Sequence, residues 1–168
     1  MSSSILLNRV VAASFASVLG FSSPALSATA TGSFAVRITI TPECKLVSAS
    51  DLDFGSHGVI DANVDSTSTI TVQCTTGTPY NVGIGLGTGA GATLAARRMT
   101  GPASATIDYN LFRESTHTNV WGETIGTDTV SATGNGATQP ITVYGRVAPQ
   151  TTPATGAYSD TVAVTVTY

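Results

Sequence analysis

Charge is what this sequence has least of. Asp, Glu, Lys and Arg make up 10% of its 168 residues, against about 25% in an ordinary soluble domain, and Lys45 is the single lysine. The formal net charge is −3, and the basic residues are scattered apart from the neighbours Arg97 and Arg98. Without clustered cations to neutralise phosphates, a nucleic-acid surface is excluded. Histidine and cysteine are equally sparse, two of each. Neither His57 nor His117 stands at ligand spacing from Cys44 or Cys74, so a metal site has no donor set. Low charge is not disorder here, because mean hydropathy is +0.23 and disorder requires low hydrophobicity with high charge. What is abundant is threonine, 28 residues or one in six. A β-branched polar side chain suits the outward face of a strand, so the composition predicts an all-β protein that is polar without charge.

Residues 1–27 read as a secretory signal peptide, with Arg9 as a weakly basic start and an apolar stretch at 10–21 (VVAASFASVLGF). Small residues offer cleavage after Ser27 or Ala30. A membrane anchor would need roughly 18 consecutive apolar residues, and Ser14, Ser17, Ser22, Ser23 and Pro24 interrupt this run. Export places Cys44 and Cys74 in an oxidising compartment, where a lone pair is most simply one disulfide. Closing that loop is worth about 3–4 kcal/mol in the chain-entropy view.

Beyond the leader the chain is a succession of short alternating segments between Gly, Pro, Asn and Ser clusters, the pattern of an antiparallel sandwich. Residues 32–41 (GSFAVRITIT) put Phe34, Val36, Ile38 and Ile40 on one face before Pro42 ends the run. Further strands are expected at 44–54, with Leu52 and Phe54 together, and at 66–74, with Ile70, Val72 and Cys74 together. Others are expected at 79–87 (Tyr80, Val82, Ile84, Leu86), 106–113 (Ile107, Tyr109, Leu111), 139–147 (Ile141, Val143, Gly145) and 158–168 (Tyr158, Val162, Val164, Val166, Tyr168). Opposite the apolar face of 79–87 lie Asn81, Gly83, Gly85 and Gly87, which predicts a close neighbour or a bend. Residues 92–99 could make two helical turns at most, and 116–139 and 148–157 read as loops. The most apolar and regular strand, 32–41, thus follows directly on the cleavage site. An exposed apolar strand invites pairing with another chain; it is either tucked into its own sheet or used.

Several motifs carry no chemistry in this setting. Asp53-Phe54-Gly55 spells the kinase magnesium tripeptide but lacks the other kinase elements. Residues 85–90 fit a dinucleotide fingerprint with no βαβ unit around it. Asp51, Asp53, Asp61 and Asp65 lack calcium-loop spacing. His57 has no nearby nucleophile, and the pair Arg97 and Arg98 is read as a surface or intersubunit feature, with Tyr80 and Trp121 as core anchors. No catalytic residue, metal or cofactor is expected.

The order of Cys44, Leu52-Asp53-Phe54-Gly55, Thr71-Val72-Gln73-Cys74 and Gly77-Thr78-Pro79-Tyr80 resembles the spore coat protein U domain, shared by pilin subunits of archaic chaperone–usher pili. The likeness continues through Arg97-Arg98-Met99, Tyr109-Asn110-Leu111-Phe112, Trp121-Gly122, Val143-Tyr144-Gly145-Arg146-Val147 and the run from Gly156 to Val162. The resemblance implies an immunoglobulin-like sandwich, incomplete at six body strands, with residues 28–41 as an N-terminal donor strand and 42–168 as the pilin domain. It further implies Phe34, Val36, Ile38 and Ile40 as plugs and Val162, Val164 and Val166 as lining of an acceptor groove. The implied partners are neighbouring subunits head to tail, a periplasmic chaperone and an outer-membrane usher, and the implied place is a fibre at the cell surface, for adhesion and biofilm formation. Two other readings stay open: a secreted coat or surface protein whose first strand closes its own sandwich, and a small periplasmic ligand-binding module or hydrolase with His57, Asp53, Arg97 or Arg98 at its site.

Overall fold

The computed structural model describes residues 26–168; the leader expected at 1–27 lies outside this range but for its last two residues. The chain divides at Ile38, and the compact body is Thr39–Tyr168. Residues 26–43 belong to no sheet. The strand expected at 32–41 therefore has no ladder, and its alternating apolar residues face water: Phe34 is 88% exposed, Val36 83%, Ile38 85% and Ile40 68%.

The body holds eight strands: β1 (Cys44–Ala49), β2 (Val64–Cys74), β3 (Pro79–Ile84), β4 (Arg97–Thr100), β5 (Thr106–Phe112), β6 (Val130–Thr133), β7 (Thr138–Val147) and β8 (Val164–Thr167). They form a five-stranded sheet in the order β1-β2-β7-β5-β4 and a three-stranded sheet in the order β6-β3-β8. Every pairing is antiparallel. The sandwich closes on alternate residues of both sheets: Ile70, Val72, Cys74, Leu111, Val143 and Val147 from one, Tyr80, Val82 and Ile84 from the other. Trp121 fills the centre, fully buried, its indole N–H donating to Val82 O at 2.8 Å. Passage from β2 to β3 is a tight turn in which Thr78 N–H donates to Thr75 O. Gly77 takes φ +83° at its third position, a conformation that costs glycine nothing. The disulfide Cys44–Cys74 joins directly opposed residues of β1 and β2 and closes a separation of 30 residues.

The body differs from the six expected strands in particular places. Residues 92–99 form no helix; Arg97–Thr100 is instead the edge strand β4, paired with β5 from Arg97 opposite Tyr109 to Thr100 opposite Thr106. Residues 116–139, expected as loop, contain β6, which pairs with β3. The last strand shortens to Val164–Thr167, because the residues before it are taken by other contacts: Ser159 bridges to Thr100, and Asp160 turns its carboxylate inward. The expectation for Gly83 holds. A Cβ there would meet Glu123 Cα at 3.1 Å, so the loop after Trp121 packs on the bare backbone of β3.

Candidate functional site

The two sheets leave a gap on one side. β1 is an edge strand of the larger sheet and β8 an edge strand of the smaller. β1 runs antiparallel to β2 and β8 antiparallel to β3, and the turn at 75–78 reverses the chain between β2 and β3. β1 and β8 therefore run antiparallel across the gap. A strand laid between them would be parallel to one and antiparallel to the other.

The gap is a groove with an apolar floor, open between the segment that follows β1 and the segment that leads into β8. Its first part is a cleft of about 530 Å³ floored by Ile70, Ile84, Leu111 and Val143, with Ala49–Leu52 on one bank and Val162 and Val164 on the other. A second cleft of about 810 Å³ continues it, lined by Ile60, Val64, Ile107 and Val147 among others. Leu52, Phe54, Met99 and Tyr158 border both. Of the three groove residues expected from sequence, Val162 and Val164 line the first cleft. Val166 packs on the same core, opposite Val82 in the β3–β8 ladder.

One bank is tied by Asp160. Its Oδ1 accepts from Thr88 N–H (2.7 Å), Thr88 Oγ1 (2.9 Å) and Thr161 N–H (2.7 Å), and its Oδ2 from the Tyr109 hydroxyl (2.8 Å). Tyr109 sits on β5 of the larger sheet, so this bond crosses the sandwich beside the groove. Desolvation pushes the Asp160 carboxyl up, but the hydrogen bonds from Thr88, Tyr109 and Thr161 outweigh it and hold the pKa below the ordinary aspartate value. Burial, then the bond to Asp160, pushes the Tyr109 phenol up. A carboxylate with a lowered folded pKa stabilises above its unfolded pKa of about 3.9 and loses that contribution as pH falls through the folded value. Asp160→Asn should therefore melt below the native protein at pH 7, and the gap between their melting temperatures should close below about pH 4. Thermal unfolding followed by circular dichroism from pH 7 to pH 2.5 checks this. A gap that stays constant over that range assigns Asp160 no such role.

Beneath the groove lies a residue whose placement overturns the surface reading of the Arg97–Arg98 pair. Arg97 is fully buried. Its Nε donates to Gly85 O (2.8 Å), Nη1 to Asn110 Oδ1 (2.6 Å), and Nη2 to Ile84 O (3.1 Å) and Trp121 O (2.6 Å). Desolvation lowers its pKa, opposed by the fields of Tyr109, Asp160, Glu123 and Asp128. Neighbours on a strand point to opposite faces, so Arg98 faces out and pairs with Asp108 at 3.0 Å. That parity was the available signal: once 97–100 is a strand, one of two adjacent arginines must point at the core.

The residues considered for catalysis are engaged elsewhere. The His57 ring N–H donates to Phe54 O at 2.6 Å, and Asp53 Oδ1 accepts from Gly55 N–H. Asp65, from the acidic cluster, takes Arg146 in a two-pronged pair at 2.7 and 2.8 Å. Among the described residues no three His, Cys, Asp or Glu side chains gather as a metal site.

Comparison with known proteins places this sandwich. The Spore Coat Protein U domain matches residues 30–165. The chain belongs to the Spore Coat Protein U domain family. Protein U of Myxococcus xanthus is 34% identical over 167 residues, covering 91% of this chain and 92% of that one. Among solved structures, the CsuC–CsuE chaperone–tip adhesion subunit pre-assembly complex, from the archaic chaperone–usher Csu pili of Acinetobacter baumannii, aligns with a TM-score of 0.53 at 22% identity. That alignment covers 77% of this Spore Coat Protein U domain chain but 41% of the solved one, and it shows a shared immunoglobulin-like sandwich fold.

Proposed function

We propose that this Spore Coat Protein U domain protein is a non-catalytic structural subunit, exported through the periplasm and assembled head to tail into a surface fibre by strand addition. The observation that carries the reading is a complementarity: a groove with an apolar floor, open between the segment that follows β1 and the segment that leads into β8, on a chain whose residues 34–40 hold four large apolar side chains at alternate positions, all exposed. In the fibre, residues 28–41 of one copy fill the groove of the next. Phe34, Val36, Ile38 and Ile40 are the plugs, and Val162 and Val164 stand on one bank with Val166 behind them on the same strand face. Backbone hydrogen bonds to the two edges supply affinity and alternate side chains supply specificity. Each plug removed from water is worth about 1.5–3 kcal/mol. The same exposed surfaces on a free subunit call for a periplasmic chaperone to cover them, and an outer-membrane usher to order the exchange. The contact is heterologous, so it propagates rather than closes. Adhesion and biofilm formation are the roles such a fibre serves.

The family's description as a spore coat domain supports a second reading, a coat protein whose own first strand fills its own groove. Size-exclusion chromatography and denaturing electrophoresis without boiling separate the two, using periplasmically produced protein beside a variant lacking residues 28–41. A ladder of polymers that the deletion abolishes is the expected result. A stable monomer that unfolds on deletion supports closure in cis, and a monomer indifferent to the deletion overturns both.

A further inference from the structure

A backbone ladder repeats every two residues, so an added strand that slips by two still turns its apolar face inward and loses only the contact at one end. Three of the four plugs, Val36, Ile38 and Ile40, are β-branched aliphatics, and the first cleft is floored by aliphatic side chains. Neither the ladder nor the floor selects one setting.

The feature that breaks the repeat is a ridge of Leu52 and Phe54, which borders both clefts. The two side chains lie on the bare backbone of Gly145 in β7. A Cβ at Gly145 would stand 2.7 Å from Leu52 Cδ1 and 3.0 Å from Phe54 Cζ, so only glycine lets the ridge sit this low. The ridge is also fastened. Ser66 Oγ donates to Asp53 O at 2.6 Å, the His57 ring N–H donates to Phe54 O, and the Phe54 ring meets Tyr109 edge-on at 6.3 Å. An incoming strand meets there a fixed, bulky, non-repeating obstacle.

Resting on the strand-addition reading above, we infer that the Leu52–Phe54 ridge is the register stop of the groove. The end plug of a second copy's strand abuts it, and Leu52 and Phe54 thereby determine which plug occupies which position. Their role is selection of one setting.

Disulfide scanning between full-length chains tests this. Thr39 has the opposite parity to the plugs, and Ala163, Thr165 and Thr167 are the exposed residues on and before β8. Chains carrying Thr39→Cys are mixed with chains carrying Ala163→Cys, Thr165→Cys or Thr167→Cys and oxidised. Directly opposed residues lie about 4.5–5.5 Å apart and those displaced by two lie beyond about 7 Å, so a disulfide reports the register. With the ridge intact, one pair should form at about tenfold the yield of the others. With Leu52→Ala/Phe54→Ala in the accepting chain, a second pair should rise to within about twofold of the first. Should that variant fail to fold, Leu52→Val/Phe54→Leu, which lowers the ridge and keeps an apolar cover, should show the same second pair. The same single pair in ridge variants, or several pairs with the ridge intact, overturns the register stop. No pair in any combination overturns the strand-addition reading itself.

Discussion

Arg97→Ala should destabilise the body by about 3–5 kcal/mol, the range for removing one partner of a buried charged network. A domain of this kind has about 5–15 kcal/mol in all, so little folded protein should be recovered. Physically, the guanidinium reaches four acceptors, three of them backbone carbonyls of Ile84, Gly85 and Trp121, which join the end of β3 to the loop carrying the buried Trp. Truncation leaves those oxygens in a dry core with no donor, and leaves a cavity beside Trp121. Arg97→Lys should recover little. An ammonium on a flexible stem is a point charge, whereas these acceptors are arranged around a planar fork. Arg98→Ala is the control: it removes a partly exposed pair with Asp108 and should cost no more than about 1 kcal/mol. Soluble yield and urea unfolding of the three variants check the ranking. An Arg97→Ala protein within 1 kcal/mol of the native would show that the network does not hold the sandwich together.

Arg97 also marks where the sequence stops being readable. β2, β3, β5 and β7 each pack one face on the core, and their alternation of Ile, Val, Tyr and Leu with polar residues shows on inspection. β4 has four residues, two of them arginine, and no alternation to read; its strand is imposed by pairing with β5. β6, VSAT, is equally short and is made a strand by β3. In the last segment the alternation continues from Val162 back to Tyr158, yet only Val164–Thr167 is paired. The ties of Ser159 to Thr100 and Asp160 to Tyr109 belong to side chains and partners far away in sequence. The disulfide was legible because two cysteines allow one bridge. The alternation of apolar residues over 34–40 was legible as a pattern, while the groove was not legible from residues alone. A groove is a space between two edges, and its existence depends on which strands pair, which no local run of residues encodes. Leu52 and Phe54 showed in sequence as one face of a strand; that they lie across Gly145 as a ridge required the fold.

Ile38→Asp should abolish polymerisation while leaving the body folded. Ile38 stands third of the four alternating apolar residues and is 85% exposed, so the free subunit loses no core contact and should melt at its usual temperature. In the fibre proposed above, the same position would lie between the sheets. The substitution removes a plug worth about 1.5–3 kcal/mol and asks an aliphatic groove to take an unpaired carboxylate, a group that costs several kcal/mol more or must protonate. Thr39→Asp places the same charge one residue away on the outward face, and alternation predicts normal polymers from it. This pair of neighbours separates strand addition from a general need for a low-charge tail, because the two variants carry the same net charge. Mixing adds a directional test. An Ile38→Asp subunit keeps its groove and can accept a strand but cannot give one, so each one incorporated ends a chain. The reciprocal of mean polymer length on unboiled gels should rise in proportion to the fraction of variant added to unaltered protein. Polymers of normal length from Ile38→Asp alone, or equal loss from Thr39→Asp, would show that residues 34–40 do not enter the groove as a strand.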